Sequence, residues 1–262
     1  MYLDGWSKSE RQGSHEWQSL GRGQARPKAL RSGAMPARLR PKVPLAPDAI
    51  LVGDPGRSLL LAQALLEEPR MSNHARGLWG YSGRTAAGRE LTIQATGMGG
   101  PSAAMVLVDL AKLGVRRAVR IGTCTAFGAE ARLGELLLVT EAVAVGGSAA
   151  SFGVAAGEVV LPDPELLEQL RAELQGESRA VPVASFDTMP GDAGAATGAG
   201  GADMQTLAIL ARAGQLGIAA AAVLIVTELK GSAPLDDSEL ERAAIRAGRA
   251  AVAAISHPKV EG

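Results

Sequence analysis

Short apolar runs alternate along the chain with stretches in which apolar residues recur every three or four positions. Residues 49–52 are uniformly apolar and run into Gly53-Asp54-Pro55-Gly56-Arg57, which predicts a strand ending in a turn. A helix is predicted over 58–68, with Ser58 as its N-cap. Residues 79–85 and 90–96 read as a hairpin turning at Ala87-Gly88. A helix over 101–113 opens with Pro101 in its first turn. Further strands are predicted over 118–121, 135–145, 180–184 and 218–226, and helices over 164–173, 203–213 and 238–255. Strands alternating with helices give an α/β chain whose sheet is covered on both faces. No internal repeat is visible.

Two segments break this pattern. Residues 1–34 are rich in Ser, Gly, Arg, Gln and Lys and lack apolar periodicity, so a disordered N-terminal extension is expected before a folded domain over 35–262. Trp6 and Trp17 lie in that extension, which reads as a solvated tail or a partner-binding segment. Residues 191–202 read GDAGAATGAGGA. Glycine at that density disfavours helix and strand, leaving a surface linker or a lid over a nearby site.

Composition narrows the class. A chain of 262 residues suffices for one large domain, and with 3% aromatic residues its core must be aliphatic. The formal net charge of zero argues against nucleic-acid binding, which favours a basic excess. The single cysteine, Cys124, allows no intrachain disulfide and fits a reducing compartment. No uncharged apolar run approaches the roughly 18 residues of a membrane span, and the N-terminus does not read as a secretory signal. A cytoplasmic protein without membrane association is therefore expected.

Five features carry candidate chemistry. In the first, Gly53 to Arg57, a strand gives way to a helix whose N-terminal N–H groups attract anions, and Arg57 adds a forked, permanently charged donor; a plain turn is the alternative. In the second, Arg120-Ile121-Gly122-Thr123, an arginine sits in an apolar strand. A buried guanidinium needs an anionic partner, either a ligand or an internal carboxylate. The third is the glycine turn Gly97-Met98-Gly99-Gly100-Pro101-Ser102, which makes a tight turn or brings backbone against a ligand. The fourth is Asp203-Met204-Gln205 at a helix start. The fifth is Glu228 after a very apolar strand, where ligands of α/β sheets gather; it reads as a proton donor or as a solvated strand end.

Taken together, Gly53-Asp54-Pro55-Gly56-Arg57, the segment HARGLWGYSG over 74–83, TGMGGPSA over 96–103 and Arg120-Ile121-Gly122-Thr123 resemble the nucleoside phosphorylase family of bacterial purine nucleoside and uridine phosphorylases. The likeness runs from about residue 41 to 255. It implies a three-layer αβα fold with a central mixed, partly barrel-like sheet. It also implies phosphate-dependent cleavage of a nucleoside, purine by preference, to free base and ribose 1-phosphate. Inorganic phosphate would be the co-substrate, with no other cofactor and no metal. The implied phosphate site comprises Gly53, Arg57, Arg120 and Thr123, with Arg76 reaching in from a neighbouring subunit of a dimer or hexamer. Met98, Met189, Met204 and Gln205 would line the nucleoside pocket. Glu228 would protonate the base, assisted by Arg242.

The chain departs from that family at several of these positions. Gln205 stands where the family has a glutamate holding the ribose 2′- and 3′-hydroxyls, and Glu228 where purine-specific members have aspartate. Met189 and Pro190 replace a Phe-Tyr pair, and the glutamine and arginine with which uridine phosphorylases read uracil are missing from that segment. Arg38 or a neighbour stands in for an N-terminal histidine. Two alternatives follow: a nucleosidase using water, or a catalytically weak protein that binds nucleoside and phosphate.

Overall fold

The computed structural model describes residues 38–189 and 197–257. The expected extension over 1–34, with Trp6 and Trp17, and residues 190–196 of the glycine-rich loop lie outside the described residues. In chain order the elements are β1 (Asp48–Val52), α1 (Pro55–Leu65), β2 (Glu67–Asn73), β3 (Gly80–Arg84), β4 (Glu90–Ala95), α2 (Gly100–Lys112), β5 (Arg117–Ala126), β6 (Leu136–Ala144), β7 (Val159–Val160), α3 (Pro164–Glu173), β8 (Ser178–Ser185), β9 (Gly201–Asp203), α4 (Thr206–Leu216), β10 (Ala219–Leu229) and α5 (Asp237–Ser256).

One mixed sheet contains all of these strands. β5 pairs with β10 and β9, β10 with β6, β6 with β8, and β8 with β9, so these five strands close on themselves. From β5 an open arm continues through β1, β4 and β3 to the edge strand β2. The sheet is thus partly a barrel and partly a twisted wing. Helix α5 packs on α1 and α3, while α2 packs on α4, giving the three-layer αβα arrangement that the family resemblance implies.

Alternation along each strand explains why the strands read as continuous apolar runs. On β1, Ile50 and Val52 enter the core with α1 and α5, while Ala49 and Leu51 enter the core with α2 and α4. On β10, Val223 and Ile225 face the α5 side, whereas Ala222, Leu224 and Val226 join Leu137, Val139 and Val183 in a third cluster. With both faces buried, no polar half-period remains. No helix among the described residues is long and apolar enough to cross a membrane.

Several boundaries differ from expectation, among them β5, which runs to Ala126 rather than Ile121, and three have a clear local cause. Helix α1 starts at Pro55 rather than Ser58, because Asp54 is its N-cap: the carboxylate accepts from the N–H groups of Gly56 (3.1 Å) and Arg57 (3.0 Å). Ser58 lies fully buried in the first turn and donates to the Pro55 carbonyl at 2.7 Å. The helix also ends early, at Leu65. Strand β2 follows it; its first five residues are exposed and give no apolar signal. As an edge strand it tolerates Pro69. Third, Asp203 ends β9 instead of opening α4, and its carboxylate accepts from the N–H groups of Gln205 and Thr206 at that helix's start.

Candidate functional site

The parallel strands β1, β4, β5 and β10 bring their carboxyl ends to one side of the sheet, where α/β proteins hold ligands. Gly53 follows β1 and Gly97-Met98-Gly99 follows β4. Thr123, Cys124 and Thr125 lie on β5, and Thr227 and Glu228 on β10. With Arg57, Arg120, Met189, Met204 and Gln205 they line one cavity of about 540 Å³, within the usual size range of small-molecule sites.

Two guanidinium groups mark one end. Arg120, only 4% exposed, donates from Nη2 to Asp203 Oδ2 (2.8 Å), from Nη1 to Gln205 Oε1 (2.8 Å) and from Nε to Thr206 Oγ1 (3.2 Å). The internal carboxylate that the sequence left as one option is therefore present, and it is Asp203. Arg120 still lines the cavity, and its fork has further N–H groups beyond these three. Gly122 makes this posture possible: a Cβ there would lie 2.5 Å from Arg120 Nη2.

Arg57 differs. No described carboxylate or carbonyl accepts from its guanidinium, although the residue is half-buried in the cavity wall. Burial pushes its pKa below the ordinary arginine value; nearby Asp54 offsets part of this, and the like charge of Arg120 adds to it. A desolvated guanidinium facing a second one is stabilised by a shared anion. The α1 N-terminus contributes less than the sequence implied, because Asp54 already occupies the N–H groups of Gly56 and Arg57. Attraction for an anion here comes from side-chain charge.

Three methionines and Glu228 also line the cavity. Met98 and Met189 are 90% and 65% exposed, and with Met204 they border the cavity. Glu228 follows a register shift in the β10–β5 pairing. Thr125 Oγ1 donates to Glu228 Oε2 at 3.1 Å, leaving Oε1 without a partner among the described residues.

Cys124 also lines the cavity but is buried. It is 5% exposed, its thiol faces the Ile225 carbonyl at 3.7 Å, and burial pushes its pKa far up. Because the thiolate is the reactive form, Cys124 is expected to resist iodoacetamide at pH 8 in the native protein and to react fully in denaturant. Intact-mass measurement reads the difference, and rapid native labelling would contradict the burial seen here.

Two residues with expected roles stand elsewhere in the single chain. Arg76 is exposed on a turn at Ala75–Gly77, with a φ of 60°. Arg242 is exposed on α5, where it donates to Ser238 Oγ at 3.2 Å and lies 3.9 Å from Glu239. Arg38 is tied to α2: its backbone N–H donates to Asp109 at 2.6 Å. The sequence marks Asp203-Met204-Gln205 as a candidate feature but gives Asp203 no role of its own. Its carboxylate also accepts from Ser185 Oγ (2.6 Å) and Thr206 Oγ1 (2.6 Å). A lone Asp near a helix start signals a cap, and nothing local ties it to an arginine 83 residues away.

The model of the Phosphorylase superfamily matches residues 47–257. The chain belongs to this superfamily. The matched region holds every cavity-lining residue named above. The chain is 36% identical over 95 residues to a purine nucleoside phosphorylase DeoD-type of Oceanobacillus iheyensis, a stretch covering 36% of this chain and 40% of that relative. Similar matches join it to purine nucleoside phosphorylases DeoD-type of Clostridium beijerinckii (32% over 103 residues; 39% of this chain, 43% of the relative) and Alkaliphilus metalliredigens (34% over 99 residues; 37% and 42%). The matched stretches thus span about two fifths of each relative's length.

Proposed function

We propose that this superfamily member is a nucleoside phosphorylase that uses inorganic phosphate to cleave the N-glycosidic bond of a purine nucleoside. One observation carries the reading: a single cavity is lined by Arg57, whose guanidinium has no partner among the described residues, by Arg120 and by Glu228, with Met98, Met189 and Met204 also on its wall. The names of the matched relatives support the same substrate class.

In this reading phosphate sits against Arg57, the remaining N–H groups of Arg120, the Thr123 hydroxyl and the backbone of Gly53. The base lies between Met98, Met189 and Met204. As the bond from C1′ to the base nitrogen lengthens, its electron pair leaves with the base and the sugar becomes cationic. A phosphate oxygen held by the arginines stabilises that charge and bonds to C1′. Glu228 passes a proton through Oε1 to the departing base; such transfer contributes about 10²–10⁴-fold. Phosphate is the only co-substrate, and no other cofactor takes part. Arg76, remote from its own cavity, serves the cavity of a second copy in a homo-oligomer.

Hydrolysis is the weaker reading, because attacking water has no use for an unpaired guanidinium, and a binding-only role leaves the free Glu228 oxygen unexplained. The test is release of free base from a panel of nucleosides with and without phosphate. Strictly phosphate-dependent release is expected, and release at equal rate without phosphate would replace this reading with hydrolysis. Glu228→Ala is expected to lower kcat on purine nucleosides by about 10²-fold or more. It should do less on pyrimidine nucleosides, whose base departs from a different ring position. Equal losses on both would remove Glu228 as proton donor.

A further inference from the structure

Glu228 owes its place to an irregularity in the sheet. Strands β5 and β10 run in parallel register from Ala219 opposite Arg117 to Val226 opposite Cys124, and then the count slips: Glu228 pairs with Thr125 and Leu229 with Ala126. Thr227 is the extra residue of a bulge, and its Oγ1 donates to the Cys124 carbonyl at 3.3 Å. In an unbroken ladder Thr227 would stand opposite Thr125, and Glu228 would share the face of Val226. That face belongs to the apolar cluster of Leu137, Val183 and Leu224. With the bulge, Leu229 packs against that cluster instead and Glu228 reaches the cavity.

Strand β5 completes the arrangement. Side chains two residues apart share one face of a strand, so Thr125 follows Thr123 at about 7 Å along the same face. Both line the cavity. Thr125 Oγ1 donates to Glu228 Oε2 at 3.1 Å and has no other hydrogen-bond partner among the described residues. Arg242, the assistant expected from the resemblance, donates instead to Ser238 Oγ on α5. An ionised carboxylate can only accept, so the bond runs from the threonine. Oε2 is thereby occupied, and a proton carried by Glu228 sits on Oε1.

We propose that Thr125 is the positioning residue for Glu228: its hydroxyl holds Oε2, restricts the glutamate to one posture and leaves Oε1 as the oxygen that meets the base. The inference rests on the phosphorylase reading above, which gives Glu228 its task. A glutamate side chain is long and flexible, and ordering it beforehand removes an entropic cost from the reaction step.

The experiment replaces Thr125 by valine, which keeps the shape and suits a strand but has no hydroxyl. With a purine nucleoside and saturating phosphate, Thr125→Val is expected to lower kcat by about 10–10²-fold, the scale of a reacting group misplaced by about an ångström. The phosphate KM is expected to stay within about twofold. Thr125→Ser restores the donor and is expected to recover kcat to within about threefold. A double-mutant cycle separates positioning from plain structural support. Because Thr125 acts through Glu228, Thr125→Val in the Glu228→Ala background is expected to cost less than about twofold. Equal losses in both backgrounds, an unchanged kcat in the single variant, a phosphate KM raised in parallel, or no recovery with serine would each overturn the proposal. If valine prevents folding, Thr125→Ala takes its place under the same criteria. Should the wild-type chain turn over no nucleoside, the phosphorylase reading falls, and calorimetric affinity for adenine and hypoxanthine decides the inference. Weaker base binding by Thr125→Val, recovered in Thr125→Ser, supports it, whereas equal binding, or none, overturns it.

Discussion

Arg57→Ala is expected to raise the phosphate KM by roughly 10–10²-fold, the equivalent of about 1.5–3 kcal/mol for hydrogen bonds to a charged group. Thermal stability is expected to be unchanged or slightly higher. The physical reason is that Arg57 has no partner to lose: no described side chain or carbonyl accepts from its guanidinium, and its pKa is depressed by burial and by Arg120. Removing it ends its desolvation and the repulsion from Arg120, which offset the lost attraction of Asp54, and alanine is at least as good a helix former in α1. The cap survives, because Asp54 bonds the backbone N–H of residue 57 and not its side chain. Steady-state kinetics with varied phosphate and a thermal melt together check the prediction. An unchanged phosphate KM would remove Arg57 from the site.

Arg120→Ala should do two things at once. It too raises the phosphate KM, but it also uncovers Asp203, whose side chain is almost wholly buried. Breaking a buried pair by removing one partner costs about 3–5 kcal/mol. The lower end applies here, because Ser185 and Thr206 still donate to the carboxylate. For a domain of this size that corresponds to a fall in Tm of about 6–12 °C. The contrast between the two arginines is the informative result: one variant stable and weak for phosphate, the other weak for phosphate and destabilised. Equal stability for both would mean that the Arg120–Asp203 contact does not hold in solution.

Much of the fold was legible in the chain. The runs at 49–52 and 218–226 are apolar at every position because both faces of β1 and β10 are buried, so length and flanking glycines identify them as strands. Helix α3 falls where its sequence places it, since Asp163 and Pro164 are both start signals. Strand β2 was not legible. Its residues carry no period of two, and pairing to β3 alone makes them a strand. The start of α1 was misplaced because Ser58 and Asp54 are both good caps, and which one is free to act depends on backbone geometry.

The site divides in the same way. Glycines beside an arginine at strand ends announce an anion-binding turn, and Glu228 after an apolar strand announces a carboxyl at the sheet's carboxyl edge, because both depend on residue type and local spacing. Which charges are already spent depends on contacts between distant segments. Arg120 and Arg57 look alike in the chain, yet the first is bonded to Asp203 and Gln205 while the second has no partner among the described residues. Gln205 looks available for a ligand, yet two carbonyls, a guanidinium and a hydroxyl surround its amide. Local propensity and pattern determined the elements and the kinds of groups at their ends. Only packing, which brings together residues about a hundred positions apart, decided which of those groups remain free to meet a substrate.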